Sequence, residues 1–318
     1  MSERHTAPPD PHSHARRLRR RRWRRYWIYD PLLAALNYPL HHLFRVLPIE
    51  WGSAIGGALG VLNGRYRLHT VRERARRGYR QLSGEGVTAA DAERAMDRMF
   101  DHHGRVMAEF SVLHRLRDEG RIAVVGAEHP RAARADGRPV IVMGVHTGNW
   151  EVIGPTLVGL GLRFKFIYQP PRSRFEHHIA VRARQRYGAD LLRPGVAAAR
   201  AAYRLLVAER GVLLIYADDE RRGYVNAPLF GRPVGPRANL TTIARLALAS
   251  GAAVIPTYAE RLRGARFRVT FLPPVELIDQ GDPALALKEN VRRLDRAITP
   301  LVLARLEQWY MLVDFYRD

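Results

Sequence analysis

The stretch Val140-Ile-Val-Met-Gly-Val-His146-Thr-Gly-Asn-Trp-Glu151 carries the reading of this chain's fold. Its first six residues are apolar or glycine with no polar alternation, which predicts a strand covered on both faces, as in a parallel sheet. After His146 small and polar residues turn the chain, and a helix is expected from near Trp150. In open α/β sheets ligands bind at the carboxyl ends of the strands, so His146 occupies a privileged position.

The same texture continues on both sides. Short apolar runs at Ile122–Val125, Phe164–Tyr168, Val212–Tyr216 and Ala253–Tyr258 read as further buried strands, and Arg266–Leu272 as a strand of alternating character. Between them lie helical patterns near Glu151–Leu160, Phe175–Tyr187, Val196–Glu209 and Leu240–Ala249, and Pro283–Glu307 reads as a closing helix. Only a short polar stretch is expected between the first two strands. Strands alternating with helices predict an α/β fold, a mostly parallel central sheet flanked by helices.

The chain before Arg121 is different. Residues 1–15 are polar, and Arg16–Arg25 contains eight arginines broken by Leu18 and Trp23. No uninterrupted apolar stretch follows, as a secretory signal would require. The longest clean one, Trp51–Gly64, falls short of the roughly 20 residues of a spanning helix. Residues 16–64 are therefore expected to lie on a membrane interface, with Trp23, Tyr26, Trp27 and Tyr29 at headgroup depth beside the arginines. Gly52, Gly56, Gly60 and Gly64 recur every four residues, a ridge suited to close helix packing. A basic segment at 65–80 leads to Thr88, a helix cap with Asp91, and a helix over Ala89–Leu116. The expected organisation is a basic disordered tail at 1–25, an N-terminal helical membrane-associating region at 26–120 and an α/β catalytic domain at 121–318.

Composition narrows the chemistry. With no cysteine among 318 residues, disulfides, thiol nucleophiles, Fe–S clusters and cysteine-based zinc sites are excluded. There is no G-x-S-x-G, no H-E-x-x-H and no glycine-rich phosphate loop ending in lysine. A net charge of +21, nearly all from arginine, calls for an anionic partner: nucleic acid, an acidic membrane face or a phosphorylated ligand. Nucleic-acid binding is the reading from another class, but no helix-turn-helix, zinc-finger or RNP pattern accompanies the charge.

A histidine at a strand end can take a proton from a hydroxyl near neutral pH. If the turn folds Glu151 back onto His146, the carboxylate fixes the imidazole tautomer, the logic of a triad without its serine. An isolated His-x4-Glu equally describes a histidine in a turn and a glutamate complementing a helix N-terminus. The pairs His102/His103 and His177/His178 read as surface residues, and no metal or cofactor is required.

The block from His146 through Asn149-Trp150-Glu151 resembles the H-x4-(D/E) motif of glycerolipid acyltransferases, and more closely the bacterial lipid A biosynthesis acyltransferase family. Further blocks occur in matching order: Ile167-Tyr-Gln-Pro170 through Arg184-Gln-Arg-Tyr-Gly188, Leu214-Ile-Tyr-Ala-Asp218-Asp219-Glu220, Pro228-Leu-Phe-Gly231, and Leu240–Ala247 with Ala253–Pro256. Gln169 stands where the family commonly has arginine, Glu220 follows Asp219 where glutamine or histidine is usual, and Leu229 replaces a phenylalanine. The resemblance implies acyl transfer from a carrier thioester to a glycolipid hydroxyl, expected on a lipid A precursor at the cytoplasmic face of the inner membrane. A mannosylated phosphoinositide or amino-acid lipid is the alternative acceptor. His146 is then the general base and Glu151 its support. Arg184, Asp219 (or the adjacent Asp218), Asn149 and Tyr168 are implied as substrate-binding residues. The implied partners are acyl carrier protein or acyl-CoA, an anionic glycolipid and a membrane surface, with the enzyme a monomer.

Overall fold

The structure, a computed structural model, describes residues 11–315 apart from 172, 194, 222, 237 and 280, and of residues 11–15, 17 and 18 only the backbone. Among the described residues nine strands run in chain order: β1 Ile122–Val125, β2 Val140–Gly144, β3 Phe164–Ile167, β4 Asp190–Leu192, β5 Val212–Tyr216, β6 Glu220–Arg221, β7 Tyr224–Val225, β8 Ala253–Arg263 and β9 Arg266–Phe271. Seven form one sheet in the order β1-β9-β8-β2-β5-β3-β4, while β6 and β7 make a small ribbon. Every neighbouring pair in the large sheet is parallel except β8 and β9, which fold back on each other through Gly264. The expected α/β architecture with a mostly parallel sheet is thus present.

The helices are α1 Pro11–Arg24, α2 Asp30–Val46, α3 Ile49–Tyr66, α4 His69–Ser83, α5 Ala89–Glu109, α6 Leu113–Asp118, α7 Glu128–Ala135, α8 Ile153–Gly159, α9 Arg174–Gln185, α10 Val196–Val207, α11 Asn239–Ser250, α12 Pro283–Leu303 and α13 Leu312–Phe315. The helix expected over Ala89–Leu116 starts on the capping box of Thr88 and Asp91 but breaks at a 3-10 turn, Phe110–Val112, before α6. The polar stretch expected between β1 and β2 contains α7, which buries Pro130 and Ala133.

Alternation along the central strands divides the core in two. Ile141 and Met143 of β2, Leu213 and Ile215 of β5 and Val254 of β8 face a layer built from α10, α11 and α12, joined by Ala75 of α4 and Met96, Met99 and Phe100 of α5. Val140, Val142, Val212, Leu214 and Ile255 face the other layer, where Leu113, Leu116, Ile153, Leu157, Ala180 and Tyr187 pack. Each of the two layers therefore draws on residues from both sides of residue 120. The arginine-rich segment is part of it because its few apolar residues, Val71, Ala75 and Tyr79 among them, recur at helical spacing.

The arginine run Arg16–Arg25, expected to be unstructured, is helical as far as Arg24 and passes through one π turn, Arg25–Tyr29, into α2. The expectation for residues 1–10 lies outside the described residues. The glycine ridge packs α3 against α5: a Cβ on Gly56 would lie 2.6 Å from both Ala108 Cβ and the Gly104 carbonyl oxygen. The opposite face of these N-terminal helices is apolar and open, with Trp27, Leu32, Leu36, Trp51, Ile55 and Leu59 all exposed. Among the described residues no helix is long and apolar enough to cross a membrane.

Candidate functional site

The parallel register of β2 and β5 builds the site. Val140 lies opposite Val212 and Gly144 opposite Tyr216, so two residues beyond the strands His146 comes beside Asp218. The Asp218 carboxylate is fully buried and holds the histidine twice: Oδ2 accepts the His146 backbone N–H at 2.8 Å, and Oδ1 lies 2.9 Å from Nδ1. It also accepts the Trp309 indole N–H at 2.9 Å. A carboxylate in this place fixes the Nδ1–H tautomer and leaves Nε2 as the acceptor. The histidine side chain retains 19% exposure.

Aromatic packing sets the ring plane. His146 stacks on Tyr216 with centroids 4.2 Å apart and meets the edge of Trp150 at 5.3 Å. Gly144 makes room for Tyr216, because a Cβ there would lie 2.7 Å from that ring. The Tyr216 hydroxyl donates to the Trp150 carbonyl at 2.8 Å, and burial pushes its pKa far up, so it stays a neutral donor. The turn after His146 is clamped from the C-terminal segment, where Tyr310 N–H donates to the His146 carbonyl and Gly148 N–H to that of Gln308. Gly148 adopts φ +58°, and a Cβ would press on the β8 backbone at Ala259. Glycine is therefore required there.

The expected contact between Glu151 and His146 is not the one formed. Glu151 sits in a 3-10 turn, Trp150–Val152, and its carboxylate faces away into a fork with Arg184 of α9: Nε donates to Oε2 at 3.0 Å and an Nη to Oε1 at 2.6 Å. Both residues are buried. The reason is geometric: the turn points Glu151 toward α9, whereas strand register puts Asp218 beside the histidine. The Arg184 guanidinium lies 4.4 Å from the Tyr168 ring centre and close to Phe110 and Phe166. Burial opposes its charge, but the facing Glu151 carboxylate outweighs this and holds its pKa above the ordinary arginine value. Its Nη1 is buried and has no hydrogen-bond partner among the described residues.

The remaining sequence candidates have distinct places. Tyr168, just past β3, stacks on His177 at 5.7 Å, with its hydroxyl 3.3 Å from Nδ1 of that ring. Asn149 is fully buried: its carbonyl oxygen accepts the Glu151 backbone N–H at 3.2 Å and its amide donates to Glu109 at 2.9 Å. Glu109 also accepts from Ser53 of α3 and from both terminal nitrogens of Arg261 on β8. Asp219 faces neither Arg184 nor His146. Its Oδ1 accepts the Asn239 N–H at 3.0 Å at the start of α11, and its carbonyl closes the ribbon onto Asn226. Of the two adjacent acids, Asp218 is the one directed into the site, because side chains alternate past the end of β5.

His102 and His103 are half-buried rather than on the surface. His103 packs 4.9 Å from the Tyr310 ring, with Nδ1 held by the Met99 carbonyl at 2.7 Å. His177 is also half-buried, against Tyr168, and His178 is exposed. Sequence reasoning passed over Trp309, Tyr310, Glu109 and Arg261, none of which lies in a motif block. A Trp-Tyr pair after the closing helix was their one visible signal. Among the described residues no three His, Asp or Glu side chains gather as a metal site.

A histidine backed by a buried carboxylate at the carboxyl edge of a mostly parallel sheet has the chemistry of general-base group transfer. The chain belongs to the bacterial lipid A biosynthesis acyltransferase family, whose sequence model matches residues 16–317, and it is an acyltransferase. It is similar to the lipid A biosynthesis acyltransferase of Haemophilus influenzae (strain ATCC 51907 / DSM 11121 / KW20 / Rd), with 23% identity over 288 residues covering 86% of this chain and 84% of the relative.

Proposed function

We propose that this acyltransferase moves a fatty acyl chain from a carrier thioester, on acyl carrier protein or coenzyme A, to a hydroxyl of a lipid A precursor. The observation that carries the mechanism is the Nδ1 contact of His146 with the buried Asp218. With Nδ1 protonated and held, Nε2 removes the proton of the acceptor hydroxyl as its oxygen attacks the thioester carbonyl. The C–O bond forms, the tetrahedral intermediate collapses with loss of the C–S bond, and the departing thiolate takes the proton back from the imidazolium. Asp218 supports the transient positive charge without itself being protonated. A positioned base of this kind contributes about 10²–10⁴ in rate.

Glu151 acts one step away, by holding Arg184. The unpartnered Nη1 of Arg184 suits the developing oxyanion or a headgroup phosphate. Asn149 and Tyr168 shape the pocket wall around this pair. The exposed apolar face of α2 and α3, with the exposed arginines of α1 beside it, supports docking on the anionic cytoplasmic leaflet of the inner membrane. The enzyme then works as a monomer on a lipid acceptor, with no nucleic-acid role.

The test is mass spectrometry of a purified lipid A precursor incubated with acyl thioester and enzyme. One added acyl mass is expected with the wild type and none above background with His146→Ala. Transfer by that variant at the wild-type rate would overturn the mechanism.

A further inference from the structure

On the flank of the catalytic domain, the loop over residues 229–236 leans over α11 and α12 and encloses a cleft of about 760 Å³. Five cationic side chains line it, Arg232, Arg245, Lys288, Arg292 and Arg296, with one carboxylate, Asp295. Asp295 is turned to the loop, where Oδ1 accepts the Leu229 N–H at 2.6 Å. Glu289 ties Arg296 at 2.7 Å and approaches Arg292 at 3.9 Å. Arg245 and Lys288 are exposed and have no carboxylate partner among the described residues. Lys288, Arg292 and Arg296 stand four residues apart on one face of α12, a stripe of about 12 Å. Leu287 and Val291 give the cleft an apolar floor.

The loop that borders the cleft also reaches toward the site. Phe230, in that loop, meets Trp309 edge-on at 6.0 Å, and Trp309 donates to the Asp218 carboxylate that holds His146.

We propose that this cleft docks an acidic acyl carrier protein, with an acidic helix of the carrier lying along the Lys288–Arg296 stripe. The inference rests on the carrier-thioester reading above and names the surface that receives the donor. The charges favour a protein over a phosphorylated nucleotide because they are strung along a helix edge instead of converging on one point. No nitrogen lining the cleft is both buried and unpartnered among the described residues, as a compact phosphate site would require. Charged rims of this kind mainly steer encounter and are weakened by salt.

The experiment is a binding titration of purified acyl carrier protein against the full chain and against the double variant Arg245→Glu, Lys288→Glu, at low and at physiological salt. A second double variant, Arg200→Glu with Arg204→Glu on the exposed surface of α10, controls for the chain's general basicity. The cleft variant is expected to bind about 10-fold or more weakly, with a shallower salt dependence, while the α10 variant binds as the wild type does. Equal binding by the cleft variant overturns the proposal, and so does equal loss in both variants. Transfer from acyl-pantetheine, which carries no protein, is measured alongside. It is expected to be unchanged in the cleft variant, and a matching loss with this donor also overturns the assignment. If the wild type binds the carrier through the cleft yet transfers from no thioester, the acyl-transfer reading fails while the docking surface stands.

Discussion

At the carboxyl ends of β2 and β5 the charged side chains of Asp218, Glu151 and Arg184 are buried, whereas along α2 and α3 large apolar side chains lie open, Leu32 at 66% and Trp51 at 67% exposure. Both regions depart from ordinary partition, in opposite directions. A buried charge is costly unless it is paired, and here each is paired: Asp218 with three donors, Glu151 with Arg184. An open apolar face has no internal pairing, and on the docking proposed above a lipid surface covers it. The first region holds a few atoms in fixed geometry; the second is the face proposed to meet a lipid surface.

The sharpest break in the comparison comes at His146. His146→Ala leaves Asp218 two of its three donors, the residue-146 backbone N–H and the Trp309 indole, so it should cost about 10²–10⁴ in turnover with a smaller loss of stability than the Glu151 variant below. Asp218→Asn should lose activity over a similar range, because the amide can present its N–H to Nδ1 and favour the wrong tautomer. A variant of either kind with wild-type kcat removes the distinction between a working pair and a structural one.

Glu151 behaves differently. Its removal strands Arg184, which is 6% exposed, in an apolar pocket, so Glu151→Leu should destabilise the protein by about 3–5 kcal/mol in denaturant unfolding. Adding Arg184→Met should recover most of that stability, since a matched apolar pair replaces a buried ion pair at little cost, yet leave transfer defective. Recovery of both stability and activity would show that the fork is packing alone.

How much of this was legible in the sequence follows from the range of the interactions. The strands around His146 were readable because buried runs such as Val212–Tyr216 are local, and so was the cap at Thr88. The three-residue β4 and the helix α7, an alanine–arginine mixture, left little periodicity to read. The position of His146 was legible, but its partner was not: Asp218 lies 72 residues away and meets it only through the β2–β5 register. A sequence spacing of five made Glu151 the natural candidate, and the 3-10 turn sends that side chain elsewhere.

Between the two regions lies the α3–α5 seam. Gly60→Leu would drive a side chain into the α5 backbone at Gly104, where a Cβ already approaches the Gly104 Cα to 2.9 Å, and should cost about 1–3 kcal/mol. Two histidines, His41 buried and His102 half-buried, add a pH dependence. Burial lowers His41 from 6.5 to about 4, with nearby Arg186 adding to the effect, and burial lowers His102 from 6.5 to about 4, with Arg261 adding to it. Their folded values lie below the unfolded one, so the unfolded chain binds more protons as pH falls beneath 6.5. Their contribution is complete above that pH and is lost progressively down to about 4. Melting temperatures should fall from pH 6.5 to about 5, above most carboxylate titration, and His41→Gln with His102→Gln should flatten that slope.

The smallest effect on stability belongs to the open face. Leu32→Ser with Leu36→Ser and Trp51→Ser removes side chains that are already exposed, so unfolding free energy should stay within about 0.5 kcal/mol per site. On the membrane docking proposed above, sedimentation with anionic vesicles should nevertheless fall sharply, because those side chains would no longer be buried in the headgroup–acyl boundary. On the same proposal the exposed arginines of α1 add an electrostatic attraction, on the order of 1 kcal/mol for each residue near the leaflet. High salt should therefore weaken what remains in the triple variant more than it weakens the wild type. If the three substitutions instead lower the melting temperature and leave vesicle binding intact, the apolar face belongs to the fold, and the contrast with the His146 turn is one of packing rather than of partner.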